Sequence, residues 1–225
     1  MIATKKREFN ELMENIKIYK SIFLLGCSEC AALCGTGGEP EVKAMKETLK
    51  SKGKEVTGTF VAKSGCQVLG TKAELKPFKD AIDKADCIMV MSCGAGTQTA
   101  VELYENKPVF PANDSLFLAN MTRLQDFDER CSLCGKCVLD KTGGICPITR
   151  CAKGLVNGPC GGSKDGFCEV SKDTPCAWQQ IYSRLMKLNQ LHTLRELSQP
   201  KTKPVRPRRL MREDLKSKKE PTKKV

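Results

Sequence analysis

The sequence predicts an α/β fold. We expect a small parallel sheet with flanking helices, followed by a cysteine-rich metal-binding module, a long amphipathic helix and an extended basic tail. Two observations predict it: short apolar runs alternate with helical patterns in the first half, and eight of the fourteen cysteines fall between Cys131 and Cys176. A chain of 225 residues has room for one substantial and one smaller domain. We place the α/β domain at residues 1–125, the module with its helix at 126–198 and the tail at 199–225.

The first half of the chain alternates helical and strand patterns. Residues 4–19 carry apolar side chains at helical spacing and predict an amphipathic helix. The continuous apolar run at 21–26 is typical of a parallel strand that is buried on both faces. Further strands are predicted at 54–62, 86–92 and 108–112, and further helices from Glu39, at 71–85 and at 97–106. This alternation predicts a parallel sheet with right-handed crossovers.

Five cysteines lie at or just beyond the ends of predicted strands: Cys27, Cys30, Cys34, Cys66 and Cys93. Because parallel strands end at one edge of a sheet, where ligands usually bind, three loops bring these thiols to one place. We predict a metal site of Cys27, Cys30 and Cys34 that is completed by Cys66 or Cys93. In the alternative, several of these residues are inert buried cysteines. Cys87 is near the start of its strand, and we expect it to be an apolar core residue.

The cysteine-rich module contributes eight more candidate ligands: Cys131, Cys134, Cys137, Cys146, Cys151, Cys160, Cys168 and Cys176. Three thiols at Cys-x2-Cys-x2-Cys spacing suit three corners of a [4Fe–4S] cluster, and Cys146-Pro147 repeats the Cys-Pro ending of bacterial ferredoxin motifs. Eight thiolates match two four-ligand sites. These sites hold two clusters, a cluster and a zinc ion, or zinc only. With the sheet-edge site, we expect two or three [4Fe–4S] clusters, with zinc as the alternative at one site.

Composition and charge indicate the cellular compartment of the protein and the partners that it can bind. The N-terminus has no apolar signal-peptide core and no apolar run long enough for a membrane span, so we expect a cytoplasmic chain with reduced thiols. The net charge is +12, and residues 199–225, with eleven basic and three acidic residues, carry +8 of it. This tail has four prolines and no aromatic residue for base stacking, so we expect no nucleic-acid partner.

Two more segments complete the chain. Residues 113–129 are expected to link the two halves, with apolar side chains under the cysteine module. Residues 177–197 predict a long amphipathic helix that clamps the module, with Trp178 as a hydrophobic lid over a cluster. His192, the only histidine, is expected on the surface. No Ser/His/Asp or Cys/His constellation indicates hydrolysis, and we predict no catalytic residue in this chain.

Several short motifs together resemble one family. They are Cys-Gly-Ala-Gly at 93–96, the segments 142–147 and 150–154, Asn-Gly-Pro-Cys-Gly-Gly at 157–162 and Cys-Ala-Trp at 176–178. On these motifs the chain is similar to the cysteine-rich methylenetetrahydrofolate reductase C-terminal family over about residues 20–195. The hexapeptide at 157–162 is the most specific of them.

The resemblance implies a partner. In that family the folate site and the flavin, FMN, lie on a separate catalytic barrel subunit, and the small subunit carries metal centres beside it. The complex reduces methylenetetrahydrofolate to methyltetrahydrofolate in the reductive acetyl-CoA pathway. The leading hypothesis is therefore an iron–sulfur subunit that takes electrons from a ferredoxin or another donor subunit and passes them to the flavin of the partner.

Two other hypotheses remain open at this point. A zinc-stabilised scaffold would hold the catalytic subunit without carrying electrons. A redox-sensing or nucleic-acid-binding zinc protein would depend on the basic tail alone. For the tail itself we expect residues 199–215 to order along the flavin-bearing subunit, with Leu210 and Met211 in shallow pockets.

Overall fold

The structure, a computed structural model, describes residues 1–123 and 126–199. The predicted basic tail thus lies outside the described residues, apart from Gln199. The chain divides into two compact units. The first comprises residues 1–132 and 148–152, and the second comprises residues 133–147 and the residues from 153 onward. Within the described ranges, no helix combines the length and the apolar character that a membrane crossing requires.

The first unit contains both of the sheets found in the described residues. Its elements are β1 (Ile2–Lys6), α1 (Phe9–Asn15), β2 (Ser21–Cys27), α2 (Cys30–Leu33), α3 (Glu39–Ser51), β3 (Glu55–Ala62), α4 (Val68–Leu75), a 3₁₀ turn (Lys76–Phe78), α5 (Lys79–Lys84), β4 (Cys87–Met91), α6 (Gly94–Leu103), β5 (Val109–Pro111), β6 (Asn113–Arg123) and β7 (Asp126–Cys131). Next in the chain come α7 (Pro147–Arg150), α8 (Ala177–Lys187) and a 3₁₀ turn (Leu191–Arg195). The second unit includes α8 and the turn that follows it.

The larger sheet is parallel, with strand order β3-β2-β4-β5. This confirms the predicted parallel sheet with flanking helices. Every residue of β2 is buried. Because side chains alternate along a strand, Ile22 and Leu24 pack with α1 and α3, whereas Phe23 and Leu25 pack with α4, α5 and α6. The strand therefore separates two apolar clusters and is covered on both faces.

The smaller sheet is antiparallel, with order β1-β6-β7, and the sequence patterns did not predict it. The expected helix over residues 4–19 is wrong at its start, because residues 2–6 pair with β6 and the helix begins only at Phe9. The expected connecting segment at 113–129 is also wrong, since it forms β6 and most of β7. Pairing of β1 with the distant β6 decides the first case, and pairing of β6 with both β1 and β7 decides the second, and a local apolar pattern does not report either.

Two predicted helices are shorter or more broken than expected. The helix predicted over 71–85 is split into α4, a 3₁₀ turn and α5, because Pro77 lacks the N–H that an uninterrupted helix needs. The helix predicted over 177–197 ends at Lys187, and Asn189 then takes a left-handed conformation with φ of 56°. By contrast, α3 begins at Glu39 as predicted, and the Gly38 N–H donates to Glu41 Oε2 at 2.9 Å.

The end of α1 gives a test of this core. Ile16 is fully buried against β2 and α3, whereas Ile18 is 74% exposed. Replacing Ile16 with Ala should lower the free energy of unfolding by about 2–5 kcal/mol, because it leaves a cavity in the core. The matched change Ile18→Ala should alter it by less than about 0.5 kcal/mol. Urea unfolding followed by circular dichroism measures both, and equal costs would contradict this assignment of the core.

Candidate functional site

Five of the predicted ligand residues follow the ends of three neighbouring strands. Cys27 is the last residue of β2 and is paired with Ala62, the last residue of β3. Cys30 and Cys34 lie at the two ends of α2, which follows β2 directly. The other two are in the connections that leave β3 and β4: Cys66 and Cys93. Parallel pairing therefore directs all of these connections to the carboxyl edge of the sheet.

Cys27 is the best-defined thiol at this edge. It is buried, and the Gly65 N–H donates to its Sγ at 3.4 Å. Burial raises the pKa of the Cys27 thiol, hydrogen bonds from the Gly65 and Glu29 backbone lower it, and the nearby Cys93 and Cys30 thiols raise it further. A Cβ atom on Gly65 would lie 3.5 Å from the Cys27 Cβ and 4.0 Å from the Gly96 Cα, so the connections after β3 and β4 meet the end of β2 at this edge.

Cys66 differs from Cys93 in its surroundings. Cys66 is exposed, and its Sγ lies 3.8 Å from the Ser64 hydroxyl. Cys93 is buried and precedes the first residue of α6. Of the two residues predicted to complete the site, Cys93 is therefore buried like Cys27, whereas Cys66 is exposed. In the connection after β3, the residue that contacts the Cys27 sulfur is Gly65, which precedes Cys66.

Strand β1 contacts the other two thiols through its backbone. The Ile2 N–H donates to Cys30 Sγ at 3.3 Å, and the Cys34 thiol donates to the Ile2 carbonyl at 3.8 Å. Next to them the hydroxyls of Thr4 and Thr36 are 2.7 Å apart. The antiparallel sheet thus holds the loop that carries Cys30 and Cys34. The sequence patterns missed this support because residues 4–6 were assigned to a helix.

Asn113 joins the two thiol-bearing loops. It is buried at the start of β6, and its Nδ2 donates to the carbonyls of Thr36, at 3.3 Å, and Ser92, at 3.4 Å. Thr36 follows Cys34 by two residues, and Ser92 precedes Cys93. One amide therefore fixes the spacing of these loops. The sequence analysis missed this role of Asn113. The only signal for it is a polar residue directly after the apolar run of β5.

A close backbone approach also shapes this edge. A Cβ atom on Gly37 would lie 1.7 Å from the Met91 carbonyl oxygen, a distance that no side chain tolerates. The Gly37 carbonyl in turn accepts from the Cys27 N–H at 2.9 Å. Glycine at this position lets the loop after α2 lie against the end of β4. The glycines after Cys34 are the sequence signal for this approach.

Cys87 lies at the opposite end of the sheet, as predicted. It is the first residue of β4 and is fully buried. Burial raises the pKa of its thiol to about 11 from the ordinary value of 9.0, with a smaller contribution from Asp86. A neutral thiol in an apolar cluster is an inert packing residue rather than a ligand.

The cysteines predicted for the module are divided between the two units. Cys131 and Cys151 belong to the first unit, and the remaining six belong to the second: Cys134, Cys137, Cys146, Cys160, Cys168 and Cys176. Cys134 lies in a turn in which Leu133 and Gly135 both have positive φ, of 55° and 95°. Such a left-handed turn reverses the chain sharply, as short Cys-x2-Cys loops require.

A small hairpin positions Cys168 and Cys176. Lys164 and Phe167 exchange backbone hydrogen bonds across Asp165 and Gly166, which both have positive φ. This is the geometry that an Asp-Gly hairpin turn adopts, and the dipeptide was the available sequence signal for it. The Cys168 N–H then donates to Thr174, and the Cys176 N–H donates to Gly166, both at 2.8 Å. Backbone pairing therefore fixes where both cysteines lie.

Cys160 has charged neighbours in the same unit. Its thiol donates to Glu169 Oε1 at 3.3 Å, and the Gly162 N–H donates to its Sγ at 3.5 Å. Lys153 forms an ion pair with Glu169. The bond from Lys153, followed by that from Cys160, lowers the pKa of the Glu169 carboxyl. Polar partners thus hold the sulfur of the hexapeptide motif in place.

The donor chemistry at the sheet edge fits a soft metal ion or a cluster. Thiolates are the preferred ligands of iron–sulfur clusters and of structural zinc, and the ends of β2, β3 and β4 with their following connections carry five cysteines to this edge. In the part of the chain that the structure describes, no group of three or more Cys, His, Asp or Glu side chains is arranged to hold a metal ion. Metal ligation by the thirteen predicted cysteines therefore stays a prediction.

Residues 110–203 match the family model described as methylene-tetrahydrofolate reductase C terminal. For this part of the chain, the family that the motifs resemble is confirmed. The match is consistent with a MetV-like subunit. Residues 20–109, over which the motif resemblance also extends, lie outside the matched segment. Comparison with curated proteins and with solved structures gave no match.

The two threonine hydroxyls beside the thiol loop yield a prediction about stability. The Thr36 hydroxyl donates to the Ala31 carbonyl at 3.1 Å, so the Thr4 hydroxyl is the donor to Thr36. Replacing Thr4 with Val removes one bond and should cost about 1 kcal/mol of unfolding free energy. Replacing Thr36 with Val also leaves the Thr4 hydroxyl buried without this acceptor and should cost about 2–3 kcal/mol. Urea denaturation of both variants checks the order, and a larger cost for Thr4→Val would refute this assignment of donor and acceptor.

Cys87 gives a prediction about pH. Because its pKa in the folded chain is raised from 9.0 to about 11, the neutral thiol contributes stability below pH 9 that is lost as the pH rises through about 11. The variant Cys87→Ala lacks this titration. The difference in unfolding free energy between the natural chain and the variant should therefore narrow from pH 8 to pH 11. Urea denaturation at a series of pH values measures the difference, and a constant gap would show that the thiol is not held neutral.

Proposed function

We propose that this chain is the iron–sulfur electron-transfer subunit of a methylenetetrahydrofolate reductase. It passes electrons to the flavin of a separate catalytic subunit, which reduces methylenetetrahydrofolate to methyltetrahydrofolate. The observation that carries the proposal is that the connections with Cys27, Cys30, Cys34 and Cys93 all leave the carboxyl edge of the parallel sheet. The family match over residues 110–203 supports the choice of reductase.

The sheet-edge residues have distinct roles in this proposal. Cys27, Cys30, Cys34 and Cys93 supply four thiolates. When bound, a [4Fe–4S] cluster supplies one-electron transfer at this position. The N–H groups of Ile2 and Gly65 donate to Cys30 and Cys27. Such N–H···S bonds orient the ligands and help to set the reduction potential, so the antiparallel sheet contributes to the chemistry as well as to the fold.

The second unit contributes further thiolates. Its six cysteines are enough for another four-ligand site, with Cys160, Cys168 and Cys176 already held by backbone or side-chain hydrogen bonds. Thiolates of this kind accept iron–sulfur clusters or zinc. The proposal assigns a cluster to this unit, with zinc as the alternative occupant.

The nature of the partner subunit can be inferred from the electron carrier, because iron–sulfur clusters transfer one electron at a time. A flavin accepts electrons one at a time and delivers two as hydride, so it connects a one-electron donor to the reduction of a folate. The proposed partner is accordingly the FMN-bearing catalytic subunit of the reductase. A ferredoxin or another donor subunit supplies the electrons.

One observation favours a second function, a zinc-stabilised scaffold. The second unit has a small apolar core, whose buried hydrophobic side chains among the described residues are Val138, Ala177, Trp178, Ile181 and Leu185. A unit with so little buried apolar surface depends on bound metal to fold, and zinc performs that role without electron transfer. In this alternative the chain holds the catalytic subunit in place and carries no electrons.

Metal analysis of the anaerobically purified chain separates the two functions. The electron-transfer role predicts at least one full cluster, about four irons with acid-labile sulfide per chain, and about eight if both units are loaded. Cys30→Ala should lose about four irons. Cys87→Ala, the matched control at the opposite edge of the sheet, should lose none. Fewer than about four irons, with tightly bound zinc and no paramagnetic signal on reduction, would establish the scaffold role instead.

A further inference from the structure

The second unit contains a cavity of about 540 Å³ that the proposed electron-transfer role does not use. Among the described residues, four stretches line it: residues 141–142, residues 156–163, one face of α8 and residues 193–198. The volume falls within the range of about 300–1,000 Å³ that is typical of small-molecule sites. The lining includes most of the hexapeptide motif at 157–162 but not the side chain of Cys160.

Hydrogen bonds tie one side of the cavity to α8. The Trp178 Nε1–H donates to the Leu155 carbonyl at 3.0 Å, and Gln179 Nε2 donates to the Ser163 hydroxyl at 2.9 Å. Trp178 is almost fully buried and lines the cavity. The segment that carries the hexapeptide is therefore fastened to the helix at both of its ends.

The opposite side is fastened in the same way. Asn157 Nδ2 donates to the Ser198 carbonyl at 2.9 Å, and the Ser198 N–H donates to Asn157 Oδ1 at 2.7 Å. The Thr193 hydroxyl donates to the Lys141 carbonyl at 2.8 Å. These four lining stretches are thus joined by specific hydrogen bonds, which hold the walls of the cavity in place.

The charges of the lining cancel. Among the described residues that line the cavity, only Lys141 and Glu196 are charged, and they form an ion pair at 2.8 Å. The hydrogen bond from Lys141 lowers the pKa of the Glu196 carboxyl and so favours its ionised form. A charged ligand would lose its hydration on entering the cavity. It would find no unpaired residue of opposite charge there, so its binding would be costly.

The uncharged part of the lining combines polar side chains with an apolar area that includes aromatic rings. Tyr182 and Met186 follow Trp178 at intervals of four residues, so the three side chains lie on one face of α8. Tyr182 is 52% exposed and Met186 is 54% exposed, although both are large apolar side chains. Aromatic rings and thioether sulfur both make favourable contacts with flat aromatic groups.

We propose that this cavity binds an uncharged small molecule with a planar aromatic ring system. The ring lies against Tyr182 and Met186, above the indole of Trp178. The Ser183 hydroxyl and the Gln179 amide offer hydrogen bonds to polar atoms on its edge. The inference depends on the cavity alone, so it holds whether the cysteines bind clusters or zinc.

A pair of dyes tests both the site and its preference for uncharged ligands. N-phenyl-1-naphthylamine is neutral and aromatic, and 8-anilinonaphthalene-1-sulfonate is the same ring system with an added sulfonate. Trp178 is the only tryptophan of the chain, so its fluorescence reports on occupancy. With the full chain, titration of the neutral dye should saturate at one site and quench this fluorescence. The sulfonate should bind at least about tenfold more weakly, because it meets no free positive charge.

Two variants locate the dye. Met186→Ala should weaken binding of the neutral dye at least about fivefold, because it removes contact surface from the cavity. The control Leu188→Ala changes a residue that is 46% exposed but lies outside the lining, and it should leave binding unchanged. Binding that does not saturate, equal affinity for the sulfonate, or equal losses in the two variants would each overturn the proposal.

Discussion

The parallel pairing of β2 with β3 and β4 is the constraint on which the first unit depends. Because β2 is buried along its whole length, its side chains divide the core into two apolar clusters, and each cluster holds helices against one face. The same pairing aligns the carboxyl ends of the strands. The connections with Cys27, Cys30, Cys34 and Cys93 leave from that edge, so the packing that stabilises the sheet also gathers the thiols.

The antiparallel sheet holds the thiol-bearing loops in position at this edge. Strand β1 contacts Cys30 and Cys34 through the backbone of Ile2, and Asn113 at the start of β6 bridges the loops on either side. These hydrogen bonds hold the loops that carry Cys30, Cys34 and Cys93 through protein structure. The second unit is different, because its cysteines lie in turns and a hairpin beside a small apolar core. We therefore expect the second unit to depend more strongly on bound metal for its stability.

The family match and the geometry of the thiols concern different parts of the molecule. The match begins at residue 110, within β5, and includes the second unit, whereas the best-defined thiols precede it. The electron-transfer proposal joins the two, since an iron–sulfur subunit of the reductase needs both thiolate sites and a partner with flavin. The cavity lined by Trp178 and Tyr182 adds a separate feature, with paired charges and exposed aromatic surface that suit an uncharged ring compound.

Sequence patterns alone determined the parallel strands, the position of Cys87 and the thiol-bearing loops, because apolar runs and turn residues act over a few neighbouring positions. They also identified the family through its cysteine motifs. They did not determine β1, β6 and β7, or the contacts of Ile2, Thr4 and Asn113 with the thiol loops. Strand β1 pairs with β6 more than 100 positions away, as Ile2 does with Leu118, and the contacts with the thiol loops join residues 21 to 77 positions apart. The pattern of one segment does not say which other segment it pairs with, so only the tertiary structure could decide these features.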